Sequence, residues 1–142
     1  MSVATRVTLR PGERIFINGA VLAWDGRGSF DILNDVPYLL EHEILHAQQT
    51  VTPLRQLYYI LQTMVLEPDG IETTREIYKQ TMDALTGAFS NAEILAGLAA
   101  IRWQVADGNV FSALKILRTL VPIEDHILGR NKHAELRIVE AG

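Results

Sequence analysis

The sequence predicts an α+β fold, with a small antiparallel β unit leading into a bundle of four to five helices. Three observations carry this. Residues 1–52 hold short apolar runs cut by turn pairs such as Pro11-Gly12 and Asn18-Gly19. The apolar period changes after Thr52, where residues recur at helical spacing. The chain has 142 residues, 48% of them apolar, enough for a real core.

The elements follow in order. Val7 to Arg10 reads as a strand, and Pro11-Gly12 turns it because proline presets φ and glycine accepts a positive one. Arg14–Ile17 and Ala20–Trp24 are strands joined by Asn18-Gly19, a two-residue hairpin signal. Asp25–Gly28 turns the chain into a fourth strand at Phe30. Such spacing suggests a meander or partial barrel. Residues 38–46 read as a further strand or a short helix, with strand the preferred reading. Thr52 caps a helix that begins at Pro53, buries Leu54, Leu57, Tyr58, Leu61, Met64 and Val65, and stops at Pro68. Asp69–Glu72 reads as a capping box opening a second helix with Ile71, Tyr78, Met82, Leu85 and Phe89 inside. Ser90–Glu93 reads as another box, before Ile94, Leu98, Ile101 and Val105, with Asp107-Gly108 as the stop. Val110–Leu120 follows, and Pro122 is expected to begin a last short helix ending at Gly129. The domain reading is a β-rich unit at 1–52 and a helical unit at 53–129 packed together as one domain, then a flexible tail at 130–142. A free-standing meander covers one face at most, so it needs the helices or another copy. The broad apolar faces of helices 53–67 and 109–121 fit either an interior or a dimer or partner surface.

Composition narrows the chemistry. With no cysteine there are no disulfides, thiolate metal sites or cysteine nucleophile, which fits a cytoplasmic location. Neither a signal peptide nor a membrane-spanning stretch is expected. The net charge is −4. Residues 1–52 carry four cations and six anions, and residues 53–142 carry nine and eleven. A nucleic-acid surface would therefore have to be a local cluster.

His42-Glu43-Ile44-Leu45-His46 spells a zinc-protease signature, and Glu67 could be a third ligand. That motif needs a rigid helix. This segment lies between Pro37 and Pro53 and alternates as a strand would, which sets the histidines ~13 Å apart at ~3.3 Å per residue. No metal and no cofactor are expected, and His42, Glu43 and His46 read as a chance spelling. Phosphate loops and nucleophile elbows are missing too, and His126 and His133 stand alone, so no enzyme is expected.

Binding residues are easier to nominate. Every Lys or Arg before Gln56 is an arginine: Arg6, Arg10, Arg14, Arg27 and Arg55. Arginine offers a rigid donor fork to phosphates and base edges, and its plane stacks on bases. Arg55, Tyr59 and Gln62 share one helix face, read as opposite the apolar stripe, and Tyr59 and Trp24 are candidate stacking platforms. The plainer reading is that these arginines serve solubility and the aromatics the core.

Four ordered blocks resemble the FlbT family of bacterial flagellar regulators. They are Leu9–Val21 (LRPGERIFINGAV), Leu33–Leu40 (LNDVPYLL), Thr52–Met64 (TPLRQLYYILQTM) and Ala113–Glu124 (ALKILRTLVPIE), and the likeness runs from about Val7 to Leu128. It implies post-transcriptional repression of flagellin: binding the 5′ untranslated region of flagellin mRNA and promoting its decay or blocking its translation. Arg6, Arg10, Arg14, Arg27, Arg55 and Tyr59 become candidate RNA contacts on that view. More faintly, the hairpins resemble the carbon-storage-regulator family of mRNA-binding dimers. A different class of function also fits the acidic charge and apolar helices: a protein-interaction module for flagellin or a companion flagellar regulator, possible as a homo-oligomer, with an indirect effect on mRNA.

Overall fold

A computed structural model describes residues 4–34 and 36–129. The expected tail at 130–142 lies outside them. The order is β1 (Thr5–Leu9), β2 (Arg14–Ile17), β3 (Ala20–Ala23), β4 (Gly28–Ile32), β5 (Tyr38–Leu40), α1 (Pro53–Leu66), α2 (Ile71–Ala88), α3 (Ala92–Ala106) and α4 (Val110–Leu128). This is the α+β order that the sequence predicts. Two compact units divide at Glu41/His42.

In the first unit all pairing is antiparallel, in two small open sheets. One pairs β1 with β4; the other runs β3-β2-β5. The strands therefore do not follow one another as a simple meander. Only β2–β3 is a tight hairpin, and Asn18-Gly19 makes it, with φ of +47° and +85°. Positive φ at both central residues is the turn whose twist matches the flanking strands. The turn after β1 closes with the Glu13 amide donating to the Arg10 carbonyl at 3.0 Å. Alternation sorts the faces. Val7 and Leu9 of β1 pack with Ile15 of β2 and Ile32 of β4 as the core. On the opposite face Arg6 bonds Asp31, and Thr8 bonds Ser29 at 3.1 Å.

The second unit is built on α1. Its first turn uses Thr52, whose hydroxyl accepts from the Arg55 amide at 3.3 Å, with Pro53 needing no donor there. Leu54, Leu57, Tyr58, Leu61 and Met64 are buried, each large aliphatic adding about 1.5–3 kcal/mol. The expected α3 stripe is found, buried at Ile94, Leu98, Ile101 and Val105, while that of α2 is buried only at Tyr78, Met82 and Leu85; Ile71, Phe89 and, on α1, Val65 are half-buried. Helix α4 packs against both α1 and α3. The broad apolar faces of 53–67 and 109–121 thus serve mainly as interior.

Three expectations are corrected. Residues 38–46 are not one strand: β5 ends at Leu40, and 3-10 turns cover Glu41–Glu43 and Ala47–Gln49. Side chains of α1, not a neighbouring strand, hold residues 43–45. The Gln62 amide receives the Leu45 N–H at 2.7 Å and donates to the Leu45 carbonyl at 2.8 Å, and the Tyr58 hydroxyl donates to the Glu43 carbonyl at 3.0 Å. Pro122 does not start a helix but lies inside α4. Its ring leaves the Arg118 carbonyl without a helical donor, at about 3 kcal/mol. Burial of Leu117, Leu120 and Val121, together with the bonds of Glu124 and Asp125 to the start of α1, outweighs that. The capping boxes differ as well. Asn91, not Ser90, caps α3 by accepting from the Ile94 amide at 3.0 Å, and α2 starts after Gly70 with no side-chain cap.

Gln62→Leu keeps the volume but strips both partners from the Leu45 backbone. A loss of about 1–3 kcal/mol is expected for each buried group left unsatisfied. Urea unfolding followed by circular dichroism reads it.

Candidate nucleic-acid interface

The β unit gathers three of the nominated arginines at one end. Leu9 pairs with Gly28 at the last rung of β1–β4, so Arg10 and Arg27 continue off that rung from opposite strands. Arg14 begins β2 opposite Ala23, next to Trp24. The Gly12 amide donates to the Trp24 carbonyl at 2.9 Å, tying the turn after β1 to the end of β3. Trp24 lies across Gly28: a Cβ there would sit 2.7 Å from the indole Nε1, so only glycine admits the ring. The indole remains 48% exposed.

Electrostatics separate these arginines. Arg6 is held by Asp31 at 2.6 Å, and Arg14 by Glu41 at 3.0 Å, with Glu41 also accepting the Arg14 amide at 2.9 Å. Those hydrogen bonds, then the carboxylate charges, raise both guanidinium pKa values further. Arg10 and Arg27 have no such ion pair among the described residues. Their charge is available to an anion, with Trp24 between them in sequence as a stacking surface. Arg6 sits mid-strand and is already neutralised, so it adds little to this end.

The other two nominated residues lie in the helical unit. Arg55 is corrected from surface to core: it is 1% exposed. Its guanidinium makes a bidentate pair with Asp125 at 2.7 and 2.9 Å and reaches the Thr52 hydroxyl at 3.3 Å. Gln62, read as sharing its outward face, is buried as well. Tyr59 stays at the surface, 38% exposed.

Beside Arg55, Glu124 accepts the Leu54 amide at 2.8 Å. Burial pushes its carboxyl above the ordinary value of 4.5, against the pull of Thr52, the Leu54 amide and Arg55. A raised folded-state value means that this group's contribution to stability is fully present below the ordinary value of 4.5 and is lost as pH rises through the raised one. Glu124→Gln should remove that part of the pH dependence, read as unfolding free energy against pH from 4 to 8 at steps of about half a unit.

The protease spelling also receives its geometry. His46 is exposed and precedes a 3-10 turn, where its amide donates to the Gln49 side chain at 2.9 Å. Glu43 is buried and pairs with Arg118 at 3.0 Å, while Arg118 Nε donates to the Tyr58 hydroxyl at 3.0 Å. Among the described residues no three His, Cys, Asp or Glu side chains gather as a metal site, and no helix is long and apolar enough to cross a membrane. Sequence reasoning missed the polar layer of Thr52, Arg55, Tyr58, Gln62, Arg118, Glu124 and Asp125. One signal could have found it: Arg55, Tyr58 and Gln62 recur at i, i+3 and i+7, on the edge of the apolar stripe itself.

Comparison with known proteins follows the same residues. The family model described as Flagellar protein FlbT matches residues 5–128. A probable flagellum biosynthesis repressor protein FlbT of Allorhizobium ampelinum is 44% identical over 97% of this chain and 93% of its own. Proteins of the same name from Chelativorans sp. and Mesorhizobium japonicum are 42% and 39% identical, over 94% and 92% of this chain and 92% and 89% of their own. No solved structure matches. With the family blocks spanning both the arginine-bearing hairpins and the α1–α4 polar layer, the chain belongs to the FlbT family.

Proposed function

We propose that this protein represses flagellin synthesis in the cytoplasm by binding the 5′ untranslated region of flagellin mRNA through the β unit. The observation that carries the reading is the end of the β unit where Arg10 and Arg27 flank the last β1–β4 rung beside a half-exposed Trp24. Two guanidinium forks with no ion pair among the described residues, and an indole, suit an unstacked RNA loop, the usual target of sequence-specific RNA binders. Bound RNA would lose access to ribosomes or become open to decay, and neither outcome needs a catalytic residue. The names of the relatives, probable flagellum biosynthesis repressors, support the same direction. Because the net charge is −4, binding should depend on this local cluster and be steep in salt. A gel-shift titration with a flagellin leader at rising salt tests it. Retardation of the leader but not of a scrambled RNA is expected; equal binding to both would overturn direct recognition.

A second reading has its own observation. An open groove of about 620 Å³ between α2 and α3 is lined by Thr86, Leu95, Ala99, Arg102, Trp103 and Ala106, and Trp103 is 74% exposed. Such a surface suits an apolar segment of flagellin or of a companion flagellar regulator, with the message affected indirectly. Co-purification with flagellin that survives nuclease and is lost in Trp103→Ala would favour it.

A further inference from the structure

The β2–β3 hairpin ends in an edge with no lysine, proline or bulge to blunt it. In the three-stranded sheet β3-β2-β5, β3 pairs with β2 on one side and with no described strand on the other. Natural edges are blunted by lysine, proline or a bulge. Here no charged residue and no proline occurs from Ile15 to Trp24, and all of Ala20–Ala23 is exposed.

Hairpin geometry fixes what the edge offers. With a two-residue turn, Ile17 and Ala20 exchange both backbone bonds, and so do Ile15 and Leu22. Val21 and Ala23, opposite Phe16 and Arg14, therefore direct their N–H and C=O groups away from β2. On the core-facing side one cross-strand row runs Leu40, Ile15, Leu22. Ile15 is fully covered, yet Leu22 is 48% exposed. The core row stops one strand short of its cover.

We propose that β3 pairs with β3 of a second copy of this chain, antiparallel about a two-fold axis at Leu22. Several features choose a copy of the same chain over a foreign strand. In the register centred on Leu22, Val21 meets Ala23 of the other copy, and their outward groups match. Ala20 meets Trp24 and Leu22 meets Leu22, so large side chains face small ones except on the axis, where the apolar row continues. Asp25 falls opposite Gly19, so no like charges are set against each other. The contact is isologous and closes as a dimer, and it turns each three-stranded sheet into half of a continuous one.

The absence of cysteine makes the test direct. Directly opposed residues at a non-hydrogen-bonded site have Cα atoms ~4.5 Å apart, within the ~4.4–6.8 Å of a disulfide. Under mild oxidation the full-length Leu22→Cys protein should form a disulfide-linked dimer at least tenfold faster than Ile77→Cys, a control at an exposed apolar site on α2. Sedimentation of the unaltered protein should show a concentration-dependent dimer. Ala23→Pro, which removes only an outward N–H, should shift it to monomer with an unchanged circular dichroism spectrum. Monomer at all concentrations up to ~200 µM would overturn the proposal and leave the edge to an extended peptide of another protein. Equal crosslinking of both cysteine variants would overturn it too.

Discussion

Asp125→Ala is expected to destabilise the protein by about 3–5 kcal/mol, the cost of breaking a buried, bidentate ion pair. Arg55 would keep its place at 1% exposure, with its two bonds to Asp125 gone and only the Thr52 hydroxyl at 3.3 Å and the more distant Glu124 carboxylate at 3.9 Å to hold it. Against a typical total of about 5–15 kcal/mol, such a loss removes a large share of the stability. Arg55→Met should cost as much or nearly so, because it removes the two guanidinium bonds from the buried Asp125 carboxylate. Replacing both with apolar residues should recover much of the loss, since a buried pair and a well-packed apolar pair are often close in free energy. Urea unfolding of the single and double variants reads the cycle; additive losses would mean that the pair does not act as a unit.

Arg10→Ala combined with Arg27→Ala should weaken binding to a flagellin leader by about 1–3 kcal/mol per residue, where each makes a charge-assisted or base contact. The fold should not change, because both side chains are exposed and neither holds an ion pair among the described residues. Arg6→Ala should cost less, because Arg6 must first release Asp31 at 2.6 Å. Each lost phosphate contact should also flatten the dependence of affinity on salt by about one unit of log–log slope. Measuring affinity at several salt concentrations therefore separates phosphate neutralisation from base recognition. Tyr59→Ala serves as the comparison on the helical unit.

The sequence showed the elements better than their partners. Asn18-Gly19 and Thr52-Pro53 are local devices, and each one stood where its chemistry required. Strand pairing was less visible, because nothing in Val7 or Phe30 alone says that β1 crosses to β4. Pro122 misled for a related reason: its local penalty is real, but the contacts that outweigh it come from α1 and α3. Arg55 misled most. Its partner lies 70 residues away, and local periodicity treats an arginine as solvent-facing unless a carboxylate is known to await it. For the candidate site, sequence nominated Arg10, Arg27 and Trp24 singly. Only the β1–β4 register brings the two arginines to one end. The family block around α1 has a structural meaning instead, as Thr52, Arg55, Tyr58 and Gln62 bind the bundle through buried polar bonds.

One measurement tests the central claim most directly: ultraviolet crosslinking of the purified protein to a flagellin leader, with crosslinked peptides mapped by mass spectrometry. Crosslinks at Arg10–Arg14 and Trp24–Gly28, competed by unlabelled leader but not by scrambled RNA, are expected. Crosslinks confined to the helical unit, or none under conditions where flagellin co-purifies, would contradict RNA binding by the β unit.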